Sequence, residues 1–87
     1  MKDKCYIITY QLQKDPSEII SAIKKYGTWA KIVDNTWAIV TEKSAKEVRD
    51  ELTLSIDANE RLFVVKSGVE AAWKNAACTN EWLKKNI

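Results

Sequence analysis

Few residue types suited to catalysis are present, and histidine is missing from all 87 positions of the chain. Without an imidazole, the chain can form neither a Ser-His nor a Cys-His nucleophile pair, nor a histidine metal site. The two glycines, Gly27 and Gly68, do not have the spacing of a glycine-rich phosphate loop. Several acidic residues lie where helix starts and turns need them. We therefore expect no catalytic residues, no metal site and no cofactor.

Tryptophan is the chain's main sign of a binding function, because four of its eight aromatic residues are of this type. Trp29 and Trp37 lie on the two arms of a predicted hairpin. Lys31 follows Trp29 by two residues, so both side chains lie on the same face of their strand. A tryptophan on an open sheet face can stack on a nucleobase while a nearby ammonium group contacts phosphate. The pattern predicts a ligand site at Trp29, Lys31 and Trp37. The competing interpretation is packing, and we expect at least two of the four tryptophans to be packed.

Two helix-start patterns organise the chain: Asp15-Pro16-Ser17-Glu18 and Ser44-Ala45-Lys46-Glu47. In each, a short oxygen-bearing side chain can accept a hydrogen bond from the first turn, and the glutamate can reach back to the cap. Each pattern follows an alternating apolar segment, so a strand-then-helix unit occurs twice. The chain is therefore predicted to be an α+β protein with the element order β-α-β-β-α-β.

The element boundaries follow from hydrophobic periodicity. Predicted strands cover residues 5–12, 29–33, 36–41 and 61–65, with Tyr6, Ile8, Tyr10 and Leu12 as the core face of the first. Asp34-Asn35 is predicted to be a two-residue turn, since both residues tolerate positive φ. Beyond Gly68 the pattern predicts a helix with Val69, Ala72, Trp73 and Ala76 on one side, and then a new helix start at Thr79.

A length of 87 residues predicts one domain, 1–87, with a core over 4–66 and a C-terminal helical extension over 68–87. A net charge of +2 neither requires nor excludes a nucleic-acid partner. Cys5 and Cys78 do not have metal-site spacing, and we expect both to be reduced and structural. No apolar run approaches the length of a membrane span, so we expect a cytoplasmic protein with no membrane partner. So short a chain favours a homodimer, with Leu62, Val64 and Trp73 at the interface.

A family resemblance covers nearly the whole chain. The segments that carry it are Tyr6-Ile7-Ile8-Thr9-Tyr10, Asn35-Thr36-Trp37-Ala38-Ile39-Val40-Thr41, Arg49-Asp50-Glu51-Leu52, Ala71-Ala72-Trp73-Lys74 and Trp82-Leu83-Lys84. They resemble the small bacterial and phage proteins labelled SinR-like, which are similar to the second Cas protein of CRISPR spacer acquisition. The resemblance implies a ferredoxin-like fold, with an antiparallel four-stranded sheet, two helices on one face and a C-terminal extension that completes a homodimer.

The chain departs from that family at the end of the first strand. The Cas-type proteins and many SinR-like proteins carry Tyr-Asp there, and the paired aspartates of the dimer are regarded as ligands for a divalent metal that could assist phosphodiester cleavage. Here the pair is Tyr10-Gln11, and a neutral amide lacks the charge that Mg²⁺ demands. The resemblance implies that Gln11, with Tyr10 beside it, faces its twin or a ligand across the dimer axis.

Two functional hypotheses follow. The favoured one is a non-catalytic homodimeric module that binds a nucleic acid, a nucleotide-like ligand or a protein partner, with a role in phage-host defence or anti-defence as its variant. The alternative is a Cas-like metal-dependent endonuclease, in which Asp15 or Asp50 replaces the missing acid.

Overall fold

The computed structural model describes residues 3–68 and 70–87 of the chain, and it is an α+β protein. Its elements, in chain order, are β1 (Lys4–Gln11), α1 (Ser17–Lys24), β2 (Thr28–Val33), β3 (Thr36–Thr41), α2 (Ala45–Thr53), β4 (Arg61–Lys66) and α3 (Asn80–Asn86). The four strands form one sheet in the order β2-β3-β1-β4, and every neighbouring pair is antiparallel. The predicted order β-α-β-β-α-β is therefore confirmed for residues 4–66.

β1 lies inside the sheet, between β3 and β4, and its alternating side chains serve two faces. Tyr6, Ile8 and Tyr10 are buried in the main core, as predicted, and Leu12 packs against it. The helices cover this face with Ile19 and Ile23 from α1 and with Val48 and Leu52 from α2, all fully buried. The opposite set on β1, which runs from Cys5 to Gln11, faces away from α1 and α2.

The two predicted helix starts differ in their hydrogen bonding. At α2 the capping box is complete, because Ser44 Oγ accepts from the N–H of Glu47 at 3.2 Å and Glu47 Oε1 accepts from the N–H of Ser44 at 2.9 Å. At α1 the predicted cap at Asp15 is wrong: the N-cap is Pro16, which has no side-chain cap bond, the helix begins at Ser17, and Asp15 Oδ1 accepts from the Ser17 N–H at 2.8 Å. Asp15 thus satisfies one of the free amide groups of the first turn.

A side-chain network joins the end of α1 to α2. The Tyr26 hydroxyl donates to Glu51, and Lys43 Nζ forms an ion pair with the same carboxylate. Burial and the neighbouring Glu51 raise the pKa of Tyr26, while Lys43 and Tyr26 lower the pKa of Glu51. The network is exposed and holds the helices side by side over the core.

The hairpin between β2 and β3 turns at Asp34 and Asn35, as predicted, but not with positive φ. Among the described residues other than glycine, only Asn75 has a positive φ, of 58°. The register shifts between Lys31 and Val33, so β2 carries a bulge just before the turn. A bulge increases the local twist, which lets a turn with ordinary backbone angles connect the twisted strands.

The C-terminal segment, residues 70–87, follows a different path from the predicted one. The predicted helix after Gly68 is wrong, because residues 70–79 form no helix, and Val69 lies outside the described residues. The helix start at Thr79 is confirmed, since its Oγ1 accepts from the N–H of Trp82 at 3.1 Å. The irregular stretch before it is tied to the sheet, because the Ala77 N–H donates to the Ile32 carbonyl of β2 at 2.8 Å.

This C-terminal segment covers one half of the sheet face that α1 and α2 leave open. Leu83 of α3 is only 2% exposed and shares a cavity with Ile7 and Ile32. Cys5, Ala30 and Ala38 are buried on the same face. The register explains this packing, because Ala30, Ala38, Ile7 and Val65 form one row across the sheet, and the alanines leave space above β2 and β3.

Both cysteines are free thiols, with Cys5 buried and Cys78 half-buried. Burial beneath the covering segment raises the pKa of the Cys5 thiol, so that it is a packed and poorly ionised group.

Truncation of the anchoring leucine tests whether the C-terminal segment belongs to the folded unit. Leu83→Ala should lower the free energy of unfolding by about 2–5 kcal/mol, because it removes a buried side chain. Leu54→Ala is the matched control, since Leu54 is 87% exposed, and it should change stability by no more than about 0.5 kcal/mol. Urea denaturation measures both variants. Equal stabilities would contradict the packing of α3 on the sheet.

Candidate functional site

The open sheet face changes character halfway along β1. Its first rows, around Cys5 and Ile7, are apolar and lie under the C-terminal segment. The next row consists of Thr36, Thr9 and Phe63, and Gln11 pairs with Arg61 beyond it. This second half is polar apart from one aromatic ring. It remains uncovered by the described residues and forms the strongest candidate for a functional surface.

A groove of about 580 Å³ occupies this uncovered half. It is lined by Thr9, Tyr10, Gln11, Asn35, Arg61, Leu62 and Phe63, and it is called the open-face groove below. Phe63 is 63% exposed, although it lies in the middle of β4. Arg61 Nη1 donates to Gln11 Oε1 at 2.9 Å, and both residues line the groove together with Phe63. The hydroxyls of Thr9 and Thr36 are 3.3 Å apart on the floor of the same face.

The chemistry of the open-face groove suits a planar ligand with an anionic group. An exposed phenyl ring offers a π-face on which a base can stack. The Arg61 guanidinium has donors beyond the one used by Gln11, and its planar fork matches phosphate oxygens. Amide groups at Gln11 and Asn35 supply donors and acceptors for the edge of a base.

Glu60 fixes the strand ends that carry the groove. Its side chain accepts from the N–H of Asp57 at 2.7 Å and from the N–H of Gln13 at 2.9 Å. These bonds tie the turn before β4 to the chain after β1, next to the pair of Gln11 and Arg61. The Asp57 and Gln13 N–H groups hold the pKa of this carboxyl below its usual value. Although Glu60 is only 9% exposed, it is fully hydrogen-bonded.

The predicted tryptophan site lies on the opposite face of the sheet. The register pairs Lys31 with Trp37 and Trp29 with Ile39, so Trp29 and Lys31 share the helix-covered face with the core. Neither Trp29 nor Trp37 lies on the open face, which corrects that part of the interpretation. The register between β2 and β3 determines which face of the sheet these side chains occupy, and the alternation within one strand does not reveal that face.

Trp37 is 4% exposed, and its Nε1 donates to the Tyr10 hydroxyl at 3.2 Å within the core. Trp29 is 37% exposed at the edge of the sheet, with its ring centroid 5.6 Å from that of Trp37. Lys24 Nζ lies 5.0 Å from the centroid of the Trp29 ring. Lys31 forms an exposed ion pair with Asp34 at 3.7 Å. Trp29 and Trp37 are therefore partners in packing, and only Trp29 offers a ring to solvent.

The structure does not bring the five predicted ligand residues into one site. Tyr10 and Gln11 border the open-face groove. Trp29, Lys31 and Trp37 lie on the other side of the sheet.

The predicted interface residues also divide between two surfaces. Leu62 and Val64 are half-buried against the core on the helix-covered side. Trp73 belongs to the C-terminal segment, where it is 36% exposed and donates from Nε1 to Asn80 Oδ1 at 3.1 Å. The exposed apolar side chains of β4 are instead the alternate residues Phe63 and Val65.

Sequence reasoning missed Arg61 and Phe63 as site residues. Leu62 to Val65 is an unbroken apolar run, so its pattern does not reveal which residues are exposed. The available signal was the pairing of this run with β1, which would have placed Arg61 next to Gln11.

The carboxylates proposed for a nuclease are engaged elsewhere. Asp15 accepts hydrogen bonds from Ser17, which lower its pKa, and Asp50 pairs with Arg49 at 2.8 Å. Within residues 3–68 and 70–87, no group of three or more acidic or cysteine side chains is placed to hold a metal ion.

No helix in the described part of the chain is long and apolar enough to cross a membrane.

Comparison with known proteins gives no relative: no family model matches the chain, and no curated protein or solved structure is significantly similar to it.

The low pKa of Glu60 predicts a specific pH dependence of stability. A carboxyl whose pKa is lowered by folding stabilises the protein above its unfolded pKa, which is near 4.5, and that stabilisation disappears as the pH falls through the lower folded value. Glu60→Gln should therefore be less stable than wild type at pH 7, and this difference should shrink at pH 3. Urea midpoints at both pH values measure it.

Glu70→Gln is the control, because Glu70 is an exposed carboxylate outside this hydrogen-bond network. It should leave the midpoint close to wild type at pH 7. A deficit for Glu60→Gln that is equal at pH 7 and pH 3 would show that the charge of Glu60 does not hold the strand ends.

Proposed function

We propose that the chain is a non-catalytic binding module that holds single-stranded nucleic acid, or a nucleotide, in the open-face groove. One observation carries this proposal: the Phe63 ring is 63% exposed in the middle of a strand, in a groove that also contains a guanidinium held by Gln11. Exposure of a large aromatic side chain in a strand has no stabilising role in the monomer. Stacking of a base on the ring would remove it from water.

The charge of the chain indicates how such a ligand would be held. With a net charge of +2, the protein lacks the strong positive field that drives non-specific binding to duplex nucleic acid. Affinity must then come from stacking and from the few contacts of Arg61, Gln11 and Asn35. These requirements favour an unpaired base with one adjoining phosphate, because bases in a duplex are not accessible for stacking.

We also propose that the fold is ferredoxin-like and that the resemblance to SinR-like proteins reflects it. Support comes from the strand arrangement: β1 and β2 are each antiparallel to β3, which lies between them. They are therefore parallel to each other and connected through α1. On this proposal Gln11 marks a position that has changed from metal binding to ligand binding.

A homodimer through the outer edge of β4 completes the proposal. Ser67 N–H donates to the Cys5 carbonyl at 2.9 Å. In an antiparallel ladder every second residue points its amide groups to the same side, so Leu62, Val64 and Lys66 point theirs away from β1. Among the described residues this edge has no strand partner. Antiparallel pairing with a second copy about Val64 would satisfy these groups and place Phe63 beside the partner subunit's Val65.

Phe63 and Trp29 offer rings on opposite faces, so substituting each separately identifies the binding face. Phe63→Ala should raise the Kd for a short unstructured oligonucleotide by about tenfold or more, because stacking on an aromatic ring is worth about 1–3 kcal/mol. Trp29→Ala should change the Kd by less than about twofold. Fluorescence anisotropy with labelled RNA and DNA oligonucleotides measures both, with thermal melts to confirm folding.

The reverse ranking of the two variants would locate binding at the tryptophan edge and contradict the open-face groove. Arg61→Gln separates the phosphate contact from stacking, since loss of one phosphate contact should flatten the dependence of Kd on salt concentration. If wild-type protein binds no oligonucleotide or nucleotide at millimolar concentration, the nucleic-acid proposal fails, and a protein partner becomes the function to test.

The dimer prediction is tested by removing one outward-pointing amide. Lys66→Pro deletes an N–H that faces away from β1, so it should spare the fold and abolish the dimer. Val65→Pro is the matched control, because its N–H faces Ile7 in the ladder and its loss should destabilise the monomer. Sedimentation equilibrium measures the masses. Wild-type protein of about 10 kDa at tens of micromolar would contradict the dimer.

A further inference from the structure

The covered half of the open sheet face contains a second cavity, distinct from the open-face groove. It measures about 310 Å³ and lies between the sheet and the C-terminal segment. Ile7, Ile32 and Val65 form its floor, and Trp73, Leu83 and Ile87 form much of its cover. It is called the tail cavity below. None of the predicted ligand residues, and no residue of the open-face groove, lines it.

The walls of the tail cavity are mostly apolar. Ile7, Ile32, Val65, Trp73, Leu83 and Ile87 line it with aliphatic or aromatic side chains, and it opens to solvent beside Val65 and Trp73, which are 42% and 36% exposed. The indole N–H of Trp73 already donates to Asn80. Lys66, Ser67 and Glu70 also border the cavity, and the charged side chains of Lys66 and Glu70 are exposed. An apolar occupant would therefore be favoured over water.

Size and shape restrict the occupant further. Binding sites for small molecules start at about 300 Å³, and a dry apolar cavity of roughly 150 Å³ holds benzene. The tail cavity has about twice the second volume, which suits a bicyclic ring. It is a slot between a sheet and a covering segment, with an indole ring in its wall. A flat aromatic molecule can stack in an offset or edge-to-face arrangement against such a ring.

The cover can admit a ligand without disturbing the main core. Residues 70–79 form no helix or strand, and most of them are exposed. The hydrogen bond from the Ala77 N–H to the Ile32 carbonyl attaches this stretch to the sheet edge, and Leu83 anchors the helix after it. Movement of a few residues between these attachments would open the slot.

We propose that the tail cavity is a binding site for a neutral planar aromatic molecule of about the size of indole or naphthalene. The two charged residues in its lining, Lys66 and Glu70, are exposed and opposite in sign, so stacking and apolar contact supply the affinity. The site is independent of the open-face groove, and its occupancy does not require a nucleic-acid ligand.

The test is a titration of the isotope-labelled full chain with indole, followed by amide chemical shifts. Saturable shifts should occur at Ile7, Ile32, Val65 and Leu83, and residues of α1 and α2 should not shift. Imidazole, a smaller polar ring, should cause no saturable change at the same concentrations. Absence of saturation with up to about ten millimolar indole, or shifts spread evenly over the protein, would overturn the proposal.

Cavity-filling variants provide the matched control. Ala72 lines the tail cavity, and Ala72→Leu should raise the Kd for indole at least about tenfold by occupying the space. Ala58→Leu makes the same change in an exposed turn and should leave the Kd unchanged. Ala71→Leu, also in the lining, replaces Ala72→Leu if the latter does not fold.

An unchanged Kd for indole in a folded cavity-filling variant would overturn the proposal.

A second copy of the chain is the other possible occupant. Shifts of the same cavity residues that depend on protein concentration without indole would identify that copy and contradict the small-molecule proposal.

Discussion

The structure depends on the burial of one whole face of β1 and of the first half of the other. As an interior strand it presents Tyr6, Ile8 and Tyr10 to the helices and Cys5 and Ile7 to the other side. An apolar pair on that second face must be shielded from water, and α1 and α2 cannot do so because both lie on the first face. The C-terminal segment supplies the cover, with Leu83 as its most buried residue. The segment is therefore part of the fold and not an appendage.

The same strand explains where the candidate site lies. After Ile7, the second face of β1 continues with Thr9 and Gln11, which need no apolar cover. The C-terminal segment covers the apolar half, and the polar half remains open beside Phe63 and Arg61. A single change of residue type within β1 thus divides one sheet face into a packed region and an accessible one. Glu60 then fixes the two strand ends that carry the groove.

The structural features that depend on local sequence patterns were predicted correctly. Alternation identified the core face of β1, and Ser44 with Glu47 identified the start of α2, because these features involve neighbouring residues. The features that depend on pairing between segments far apart in the sequence were not predicted. The face of Trp29 is set by its register with Ile39, and the exposure of Phe63 depends on how far the C-terminal segment extends. Contacts with the sheet determine the path of residues 70–79, and these contacts override the helical periodicity of the segment's sequence.

The most direct test of the central claim, that the open-face groove is the binding surface, is photo-crosslinking. A short single-stranded oligonucleotide carrying 4-thiouridine would be irradiated with the wild-type protein, and the modified residue would be identified by mass spectrometry. The account predicts an adduct on Phe63 or on its neighbours in β4, because the base lies against that ring. An adduct on Trp29, with none in β4, would contradict it.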